Sequence, residues 1–457
     1  MKKLVVLVVV FWSVIPVFGQ SWKLLNPKLT FTILFNKQNS QSIWAGNWAN
    51  QMYRSFDGGA SWELVEIGSI DVLNFITSGV RSSLDSNVMI LGGFGFDGIR
   101  RTSDAGVTWA RVLTDSSPAR ARMYFISEAL IEDTQVPGTF YGARGTTNNG
   151  IWKSTDDGAT WDSISVIPST FTTRLCTIAQ RSDSNNILFV GCRGGVMARS
   201  DDNGRSWRRV PVLNGELSIS SDAEIPKIVF SRRVPTTGYA VVAITAPDSI
   251  RDNGGLLKTV DGGATWNRIA FSDTSLWSVA VRDGADGKDD IFIGGFRTSN
   301  LPTLIIGDGL VYRSSNGGES WQRFDDIPWG VNEREDTIRN VWSLHINPTS
   351  NKVYMAAETG TFIFDEATSV TETLVPVSHA TLNCTVIGNE LIVRDLDPTD
   401  DHAMWTIYSM QGSTVGHGVI HDPHELHIST TSIPTGQYLL TWGSEQRFRT
   451  ALFVVQK

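Results

Sequence analysis

Six short motifs are the first candidates for chemistry, because each places a carboxylate or an amide between hydroxyl side chains. The pattern is Ser/Thr-x-Asp-x-Gly-x-Ser/Thr-Trp, and its tryptophans recur 46 to 59 residues apart. Clustered acids act as general acids and bases or as metal ligands. Six equivalent acids on six equivalent turns lie too far apart to meet at one substrate, so the spacing predicts a structural role. The residues are Asp57 and Trp62, Asp104 and Trp109, Asp156 and Trp161, Asp202 and Trp207, Asp261 and Trp266, and Asn316 and Trp321.

Three arginines outside the motifs are candidates for an anion-binding site. Arg144, Arg193 and Arg297 each follow a short apolar strand in a different repeat. If they converge near one axis, their guanidinium groups can bind a carboxylate, a sulfate or another anion bidentately. The alternative is three solvated or salt-bridged loop arginines. Trp329 and Glu333, in a long loop between repeats, complete the candidate binding residues, although Trp329 can equally pack into the rim.

Catalysis and metal binding lack a specific pattern. A glycoside hydrolase needs two acids about 5 to 10 Å apart, and no spacing among the loop acids singles out a pair, so no catalytic residue is assigned. The series His421-x-x-His424-x-x-His427 does not place three rings on one side of a strand, and neither a metal nor another cofactor is predicted. The loop acids are Asp222, Glu224, Asp248, Asp252, Glu333 and Glu335.

The motifs also predict the elements that position these residues. Each motif follows an apolar strand that ends in a basic and then a hydroxyl residue, and each ends in the tryptophan of the next strand. The motif is therefore interpreted as a hairpin turn, in which glycine supplies a positive φ and the polar side chains bond to the backbone. Seven innermost strands are predicted, at Thr30–Phe35, Val72–Ile76, Met123–Ile126, Leu175–Ile178, Ile225–Phe230, Leu276–Val281 and Val341–Ile346.

A period near 50 residues is typical of propeller blades, and we predict an all-β, seven-bladed β-propeller over residues 20–368. The seventh unit lacks both the motif and a fourth strand. The strand at Trp22 has no motif before it, so it is expected to supply the missing strand and close the ring.

The repeats resemble the Asp-box, or BNR, propeller superfamily, which includes sialidases, xyloglucanases, the sortilin luminal domain and photosystem II assembly factors. The resemblance implies the fold and leaves the activity open. A sialidase-like role implies an Arg-Ile-Pro-like segment near the start of the propeller, whereas the similar Arg233-Val234-Pro235 occurs in the fifth repeat. Xyloglucanase-like enzymes usually use two propellers around a cleft, and this chain has room for one.

Export is predicted from the first residues. Residues 1–19 begin with two lysines, continue with an apolar run and end in Gly19, which is typical of a signal peptide. The run is short for a bilayer-spanning helix, so the mature chain is expected to have no transmembrane segment. A formal net charge of −8 disfavours nucleic acid and anionic lipid as partners. Cys176 and Cys192 either meet across a hairpin or remain free buried thiols.

The repeat stops after residue 368, and residues 369–380 are predicted to be a linker. Residues 381–457 carry short strands and polar turns that predict a small C-terminal β-sandwich. Three segments resemble the type IX secretion C-terminal sorting domain: Ile407–Gly412, Ile433–Leu439 and Phe453–Lys457. That resemblance implies the type IX secretion machinery as a partner and passage through the outer membrane. The alternative is an accessory β-domain.

The leading hypothesis is thus a secreted or cell-surface propeller that binds a protein or glycan partner without catalysis. The alternative is a glycoside hydrolase, sialidase-like or xyloglucanase-like, that acts on extracellular glycans. An assembly factor like those of photosystem II is a third possibility, which the sorting-like tail disfavours.

Overall fold

The computed structural model contains two compact units, Met1–Ser369 and Val370–Lys457. The first unit is a seven-bladed β-propeller, and no helix occurs among the described residues. The structure describes residues 21–68, 75–94, 98–114, 127–145, 149–171, 174–213, 223–244, 254–272, 274, 275–284, 286–297, 307–331, 338–366, 383–387, 390–394, 404–409, 414–421, 425–444 and 447–455.

The first unit is built from short strands, which have the following bounds. The strands are β1 (Ser21–Asn26), β2 (Thr32–Phe35), β3 (Ile43–Gly46), β4 (Gln51–Ser55), β5 (Glu63–Glu66), β6 (Phe75–Arg81), β7 (Met89–Phe94), β8 (Gly98–Thr102), β9 (Ala110–Thr114), β10 (Leu130–Glu132), β11 (Phe140–Arg144), β12 (Gly150–Ser154), β13 (Asp162–Val166), β14 (Leu175–Gln180), β15 (Leu188–Cys192), β16 (Met197–Ser200), β17 (Arg208–Val210), β18 (Val212–Leu213), β19 (Ala223–Phe230), β20 (Gly238–Ile244), β21 (Gly255–Thr259), β22 (Trp266–Ala270), β23 (Leu276–Asp283), β24 (Asp289–Gly295), β25 (Val311–Ser314), β26 (Gln322–Arg323), β27 (Val341–Ile346), β28 (Val353–Ala357) and β29 (Gly360–Asp365).

Blades one to six each contain four consecutive antiparallel strands, beginning with β2, β6, β10, β14, β19 and β23. The seventh sheet has the order β1-β29-β28-β27, and β1 lies antiparallel to β29 with Trp22 opposite Phe364. Trp22 is buried against the rings of Phe292, Phe324 and Phe364, with centroids 5.3 to 6.4 Å apart. The first strand of the described residues, β1, therefore occupies the outer position of the last sheet.

Two of the predicted innermost strands lie partly or wholly outside the described residues. The first described strand of blade two is Phe75–Arg81; of the predicted Val72–Ile76, residues 75 and 76 belong to it and 72–74 lie outside the described residues. The first described strand of blade three is Leu130–Glu132, and the predicted Met123–Ile126 lies outside the described residues. Leu130–Glu132 was not predicted, because a three-residue strand is too short to show the period on which strand prediction depends.

Because the strands alternate in direction, the turns of each blade divide between two faces of the propeller. The motif turns and the turns between first and second strands share one face, here called the box face. The turns between second and third strands and the connections between blades share the other, the loop face. The loop face is therefore the one that carries Arg144, Arg193, Arg297 and Trp329.

Blade five has an additional strand that the sequence analysis did not predict. β18 runs parallel to β22, with Val212 opposite Trp266. The backbone N–H of Trp266 donates to the Pro211 carbonyl at 3.0 Å. Val212 packs on the cluster that contains Trp266, whose side chain is fully buried. This strand continues directly from β17, so one stretch of chain covers the outer edges of blades four and five.

The two cysteines of blade four, Cys176 and Cys192, are buried free thiols. Burial raises the pKa of the Cys176 thiol well above its usual value, and the nearby Glu224 carboxylate adds to that effect. Both side chains belong to the hydrophobic interior of the propeller.

The second unit contains two sheets, ordered β30-β31-β34 and β33-β32-β35-β36. Leu391 and Leu426 of the first sheet and Ile407 and Trp442 of the second belong to one buried cluster. The predicted strands at 391–393, 405–408, 426–428, 438–442 and 451–455 fall within observed strands. The bounds are β30 (Asn383–Ile387), β31 (Glu390–Arg394), β32 (Met404–Ser409), β33 (Thr414–Val419), β34 (Glu425–Ser429), β35 (Gly436–Ser444) and β36 (Arg447–Val455).

Candidate functional site

The box aspartates are occupied by hydrogen bonds within their own turns. In the first box, Ser61 donates through its backbone N–H and its hydroxyl to the two Asp57 oxygens, at 2.9 and 2.5 Å. The Ser55 hydroxyl donates to Asp57 at 2.8 Å and accepts from the Gly59 N–H at 2.8 Å. The Trp62 indole N–H donates to the Gly59 carbonyl at 3.0 Å.

The same bonding recurs at Asp104, Asp156, Asp202 and Asp261, and Asn316 accepts the corresponding backbone bond from Ser320. Hydrogen bonds from Thr108 lower the pKa of Asp104 to about 2, and those from Ser206 do the same for Asp202. These carboxylates are ionised acceptors that complete the turn, which leaves them poorly suited to transfer protons near neutral pH.

The basic residue before each box also has a structural partner. Arg101, Arg199 and Lys258 donate to the backbone carbonyl at the fourth position of the next blade's box, at 2.8 to 2.9 Å. Blade seven has no box, and Arg313 of blade six instead contacts the Glu366 carboxylate at 3.0 Å. These cations link neighbouring blades on the box face.

The loop face of blades three to five carries a charged group. Arg174 Nη1 lies 3.1 Å from Glu224 Oε1, and Arg193 pairs with Glu224 through the backbone. The Arg193 N–H also donates to the Arg174 carbonyl at 3.0 Å. The structure thus brings Arg193 together with a carboxylate and a second arginine, and Arg144 lies buried at the end of β11 in the preceding blade.

Glu224 is the loop acid that the structure singles out. Its side chain is 7% exposed, against 22% for Arg174. Burial raises the pKa of the Glu224 carboxyl, and the charges of Arg174 and Arg193 oppose that rise. The sequence grouped Glu224 with five other acids; Asp222, Asp248, Asp252, Glu333 and Glu335 lie outside the described residues. Arg174 was not predicted, since its partner is 50 positions away.

Arg297 and Trp329 lie toward blades six and seven. The Arg297 backbone N–H donates to Asn340 Oδ1 at 2.7 Å. The Trp329 ring packs on Phe362, with centroids 5.4 Å apart, and is half-buried. Packing against Phe362 is the rim position that was the alternative to an exposed contact.

An aromatic cluster joins the loop-face ends of blades one, two, six and seven, and the sequence analysis did not identify it. Trp277 stacks near Phe296 at 4.5 Å, and Phe31 and Trp342 lie 5.4 Å apart. The indole N–H of Trp342 donates to the buried Glu358 at 2.8 Å. Three further aromatic residues of the cluster are only half-buried: Trp48, Phe75 and Phe296.

The aromatic cluster and the charged group adjoin each other in blade five. Ala243 of β20 belongs to the aromatic cluster, and its partner across the sheet is Glu224. The loop face therefore carries aromatic rings and, next to them in blade five, guanidinium and carboxylate groups. We call this region, made of the cluster and the Arg174–Glu224–Arg193 group, the loop-face patch.

A cavity of about 370 Å³ lies beside the patch, at the loop-face turn of blade four. The cavity is lined by Gly194, Gly195, Val196, Arg209, Val210, Pro211 and Val212.

Among the described residues, no three metal-ligating side chains converge. The same part of the chain contains no helix suited to crossing a membrane.

Comparison with known proteins gives sequence similarity to xyloglucanases. No family model matches the chain. A xyloglucanase of Paenibacillus sp is 25% identical over 251 residues, which are 47% of this chain and 23% of that protein. The xyloglucanase Xgh74A of Acetivibrio thermocellus is 23% identical over 259 residues, or 50% of this chain and 30% of that protein. The matched part thus spans less than a third of either relative.

Solved propellers are similar in fold. The xyloglucanase of Xanthomonas campestris gives a TM-score of 0.55 at 15% identity, covering 94% of this chain and 75% of that one. YCF48 of Cyanidioschyzon merolae gives 0.52 at 14%, covering 75% and 98%. PorZ, a bacterial surface component of the type-IX secretion system of Porphyromonas gingivalis, gives 0.52 at 12%, covering 94% and 60%. At these identities the likeness shows the fold alone.

Proposed function

We propose that this protein is an exported, non-catalytic binding module whose loop-face patch holds an extracellular glycan or protein. The observation that carries the proposal is that an aromatic cluster with three half-buried rings adjoins the Arg174–Glu224–Arg193 group on the loop face, through Ala243. Aromatic faces stack on sugar rings and on apolar side chains, and guanidinium groups orient polar ones. The box face is a poorer candidate, because its carboxylates already accept bonds within their turns.

Export is the second part of the proposal. It is supported by the predicted signal peptide at 1–19 and by the resemblance of residues 381–457 to a type IX sorting domain. In this view β1 closes the ring, and the two sheets of the second unit form the sorting β-sandwich. The similarity in fold to PorZ, which is a surface component of that system, is compatible with this location.

Binding is tested with the purified mature chain on a broad glycan panel, in which retained glycan and released sugar are both measured. We expect retention without release, and loss of retention in Trp48→Ala, whose ring is half-buried at the patch. Val107→Ala is the matched control, because Val107 is 76% exposed on the box face. Retention that survives Trp48→Ala and Arg193→Ala would place the binding surface elsewhere.

A glycoside hydrolase is the second candidate, favoured by the similarity to xyloglucanases and by Glu224. A buried carboxyl with a raised pKa can hold the proton that a general acid needs. Release of sugar by the wild type, lost in Glu224→Gln with binding retained, would favour this candidate over the first.

Export is tested separately by fractionating cells that express the chain with and without residues 381–457.

A further inference from the structure

The first strands of the blades carry a repeated hydroxyl next to the central channel. In five blades the first strand is irregular near its start, and in four of these a serine or threonine follows the irregularity. Ser78 Oγ accepts the N–H groups of Ala129 and Leu130 at 2.9 and 3.0 Å, and Ser278 Oγ accepts that of Leu344 at 2.7 Å. The four residues are Ser78, Thr177, Ser278 and Ser343.

Blade five departs from this pattern, because Lys227 stands at the corresponding position. Its ammonium forms an ion pair with Glu128, which lies just before β10 in blade three. The Lys227 side chain is 7% exposed, and that of Glu128 is 29% exposed. Blades three and five are not neighbours, and the two side chains meet beside the innermost strand of blade four, where the Glu128 carbonyl accepts the Ile178 N–H at 3.3 Å. A hydroxyl is too short to span this gap.

A third ionisable group, His345, lies on the innermost strand of blade seven, β27, within range of the charges of the pair. Its Nε2 lies 2.8 Å from Ser343 Oγ and 3.4 Å from the Ile33 backbone nitrogen. Its ring is also near Phe35, with centroids 6.4 Å apart. The charged groups that act on the imidazole are Lys227 and Glu128. The Glu128 carboxylate therefore interacts with the Lys227 ammonium and would also act on a protonated His345.

We propose that Glu128 and Lys227 form an acid-sensitive lock at the central channel, which holds blades three and five together while the nearby His345 of blade seven is neutral. Protonation of His345 adds a second cation beside the Lys227 ammonium, and Glu128 cannot neutralise both. Lys227 lies three positions after Glu224, and His345 lies three positions after Trp342. Loosening of β19 and β27 would therefore reach the loop-face patch.

The direction of the pH effect follows from the state of each group. Burial and then the Lys227 charge lower the pKa of His345 to about 4 from its ordinary 6.5, and Glu128 acts in the opposite sense. Burial acts to raise the pKa of Glu128, but Lys227 and His345 hold it below its usual value, so Glu128 stays charged. The unfolded chain takes up the histidine proton first. Stability is thus complete above about pH 6.5 and is lost as the pH falls toward 4.

Urea unfolding of the full chain between pH 7.5 and 4, followed by tryptophan fluorescence, tests the lock. Relative to His345→Gln, the wild-type unfolding constant is expected to rise by up to about tenfold per pH unit below 6.5. His417→Gln is the matched control, since His417 is exposed on β33, and it should follow the wild type. An identical pH dependence in wild type and His345→Gln would overturn the proposal.

A second variant decides the matter if His345→Gln does not fold. Lys227→Thr combined with Glu128→Ser removes both charges that act on His345 and introduces a hydroxyl at each position. We expect the acid-induced loss to begin near pH 6.5 as in the wild type but to end at a higher pH, so that it spans a narrower range. A wild-type pH profile in this variant would show that the pair and the imidazole are not coupled, which contradicts the lock.

Discussion

The box face and the loop face are formed by the same seven blades, but the two faces differ in which residues repeat from blade to blade. On the box face, six turns share one bonding pattern, and cations link successive turns in the same way. On the loop face, blades three to five present arginines and a glutamate, whereas blades six, seven, one and two present aromatic rings. Repetition marks residues that build the ring, and departure from it marks candidates for recognition.

The seventh blade keeps only part of the box-face pattern. It has no box, yet Glu366 receives Arg313 where another blade would offer a backbone carbonyl. The linkage between neighbouring blades is thus retained even where the motif is lost. This separates the two roles of the box, which are to close a hairpin and to accept a cation from the preceding blade.

The largest expected loss of stability follows from removing the tryptophan of a box. Trp266→Ala removes a fully buried ring that β18 covers, and we expect a loss of about 3 to 5 kcal/mol of unfolding free energy. Trp329→Ala, on the half-buried loop-face rim, should cost less than half as much. Urea unfolding of both variants measures the difference. Equal losses would remove the distinction between a structural face and a recognition face.

A smaller effect is expected at the loop-face ion pair. Arg174→Met leaves Glu224 buried without its nearest cation, which should cost about 1 to 3 kcal/mol at neutral pH. The folded-state pKa of Glu224 is already raised, so stability is lost as the pH rises through that value and is regained on acidification. Arg232→Met, an exposed arginine, is the control. A pH-independent loss in Arg174→Met would contradict the assignment to Glu224.

The cations that link the boxes should contribute less. Lys258→Met removes a 2.9 Å bond to the Gly317 carbonyl, and we expect a loss of about 1 kcal/mol or less. Lys23→Met removes an exposed lysine of β1 and should be neutral. Thermal unfolding compares the two variants. An equal effect of both would show that the repeated contact adds nothing to stability.

The smallest effect at neutral pH is expected for Asp202→Asn, because Asn316 already occupies the equivalent position in the sixth box. The folded-state pKa of Asp202 is lowered to about 2 from an ordinary value of 3.8. Its contribution is therefore present above pH 3.8 and is lost as the pH falls to 2. Stability curves of variant and wild type should converge below about pH 2. Parallel curves down to that pH would show that the carboxylate charge is irrelevant.

The sequence allowed the repeating parts of this fold to be predicted better than the parts that vary. The six motifs located the hairpins, because turn chemistry is local and leaves a local pattern. The strand Leu130–Glu132 of blade three was not predicted, since it is too short to show a period. The Arg174–Glu224 pair and the aromatic cluster were not predicted, because their members come from different blades and meet only after the ring has formed.

The pairing of β1 with β29 has a consequence for the order of assembly. Each of the first six sheets joins residues close in sequence, so it can form from local hairpins soon after synthesis. The seventh sheet joins Ser21 to Asp365 and must wait until nearly the whole propeller chain is present. Until then Trp22 and the aromatic rings that receive it stay exposed. The time needed to complete this sheet therefore sets how long the chain remains vulnerable to aggregation and proteolysis.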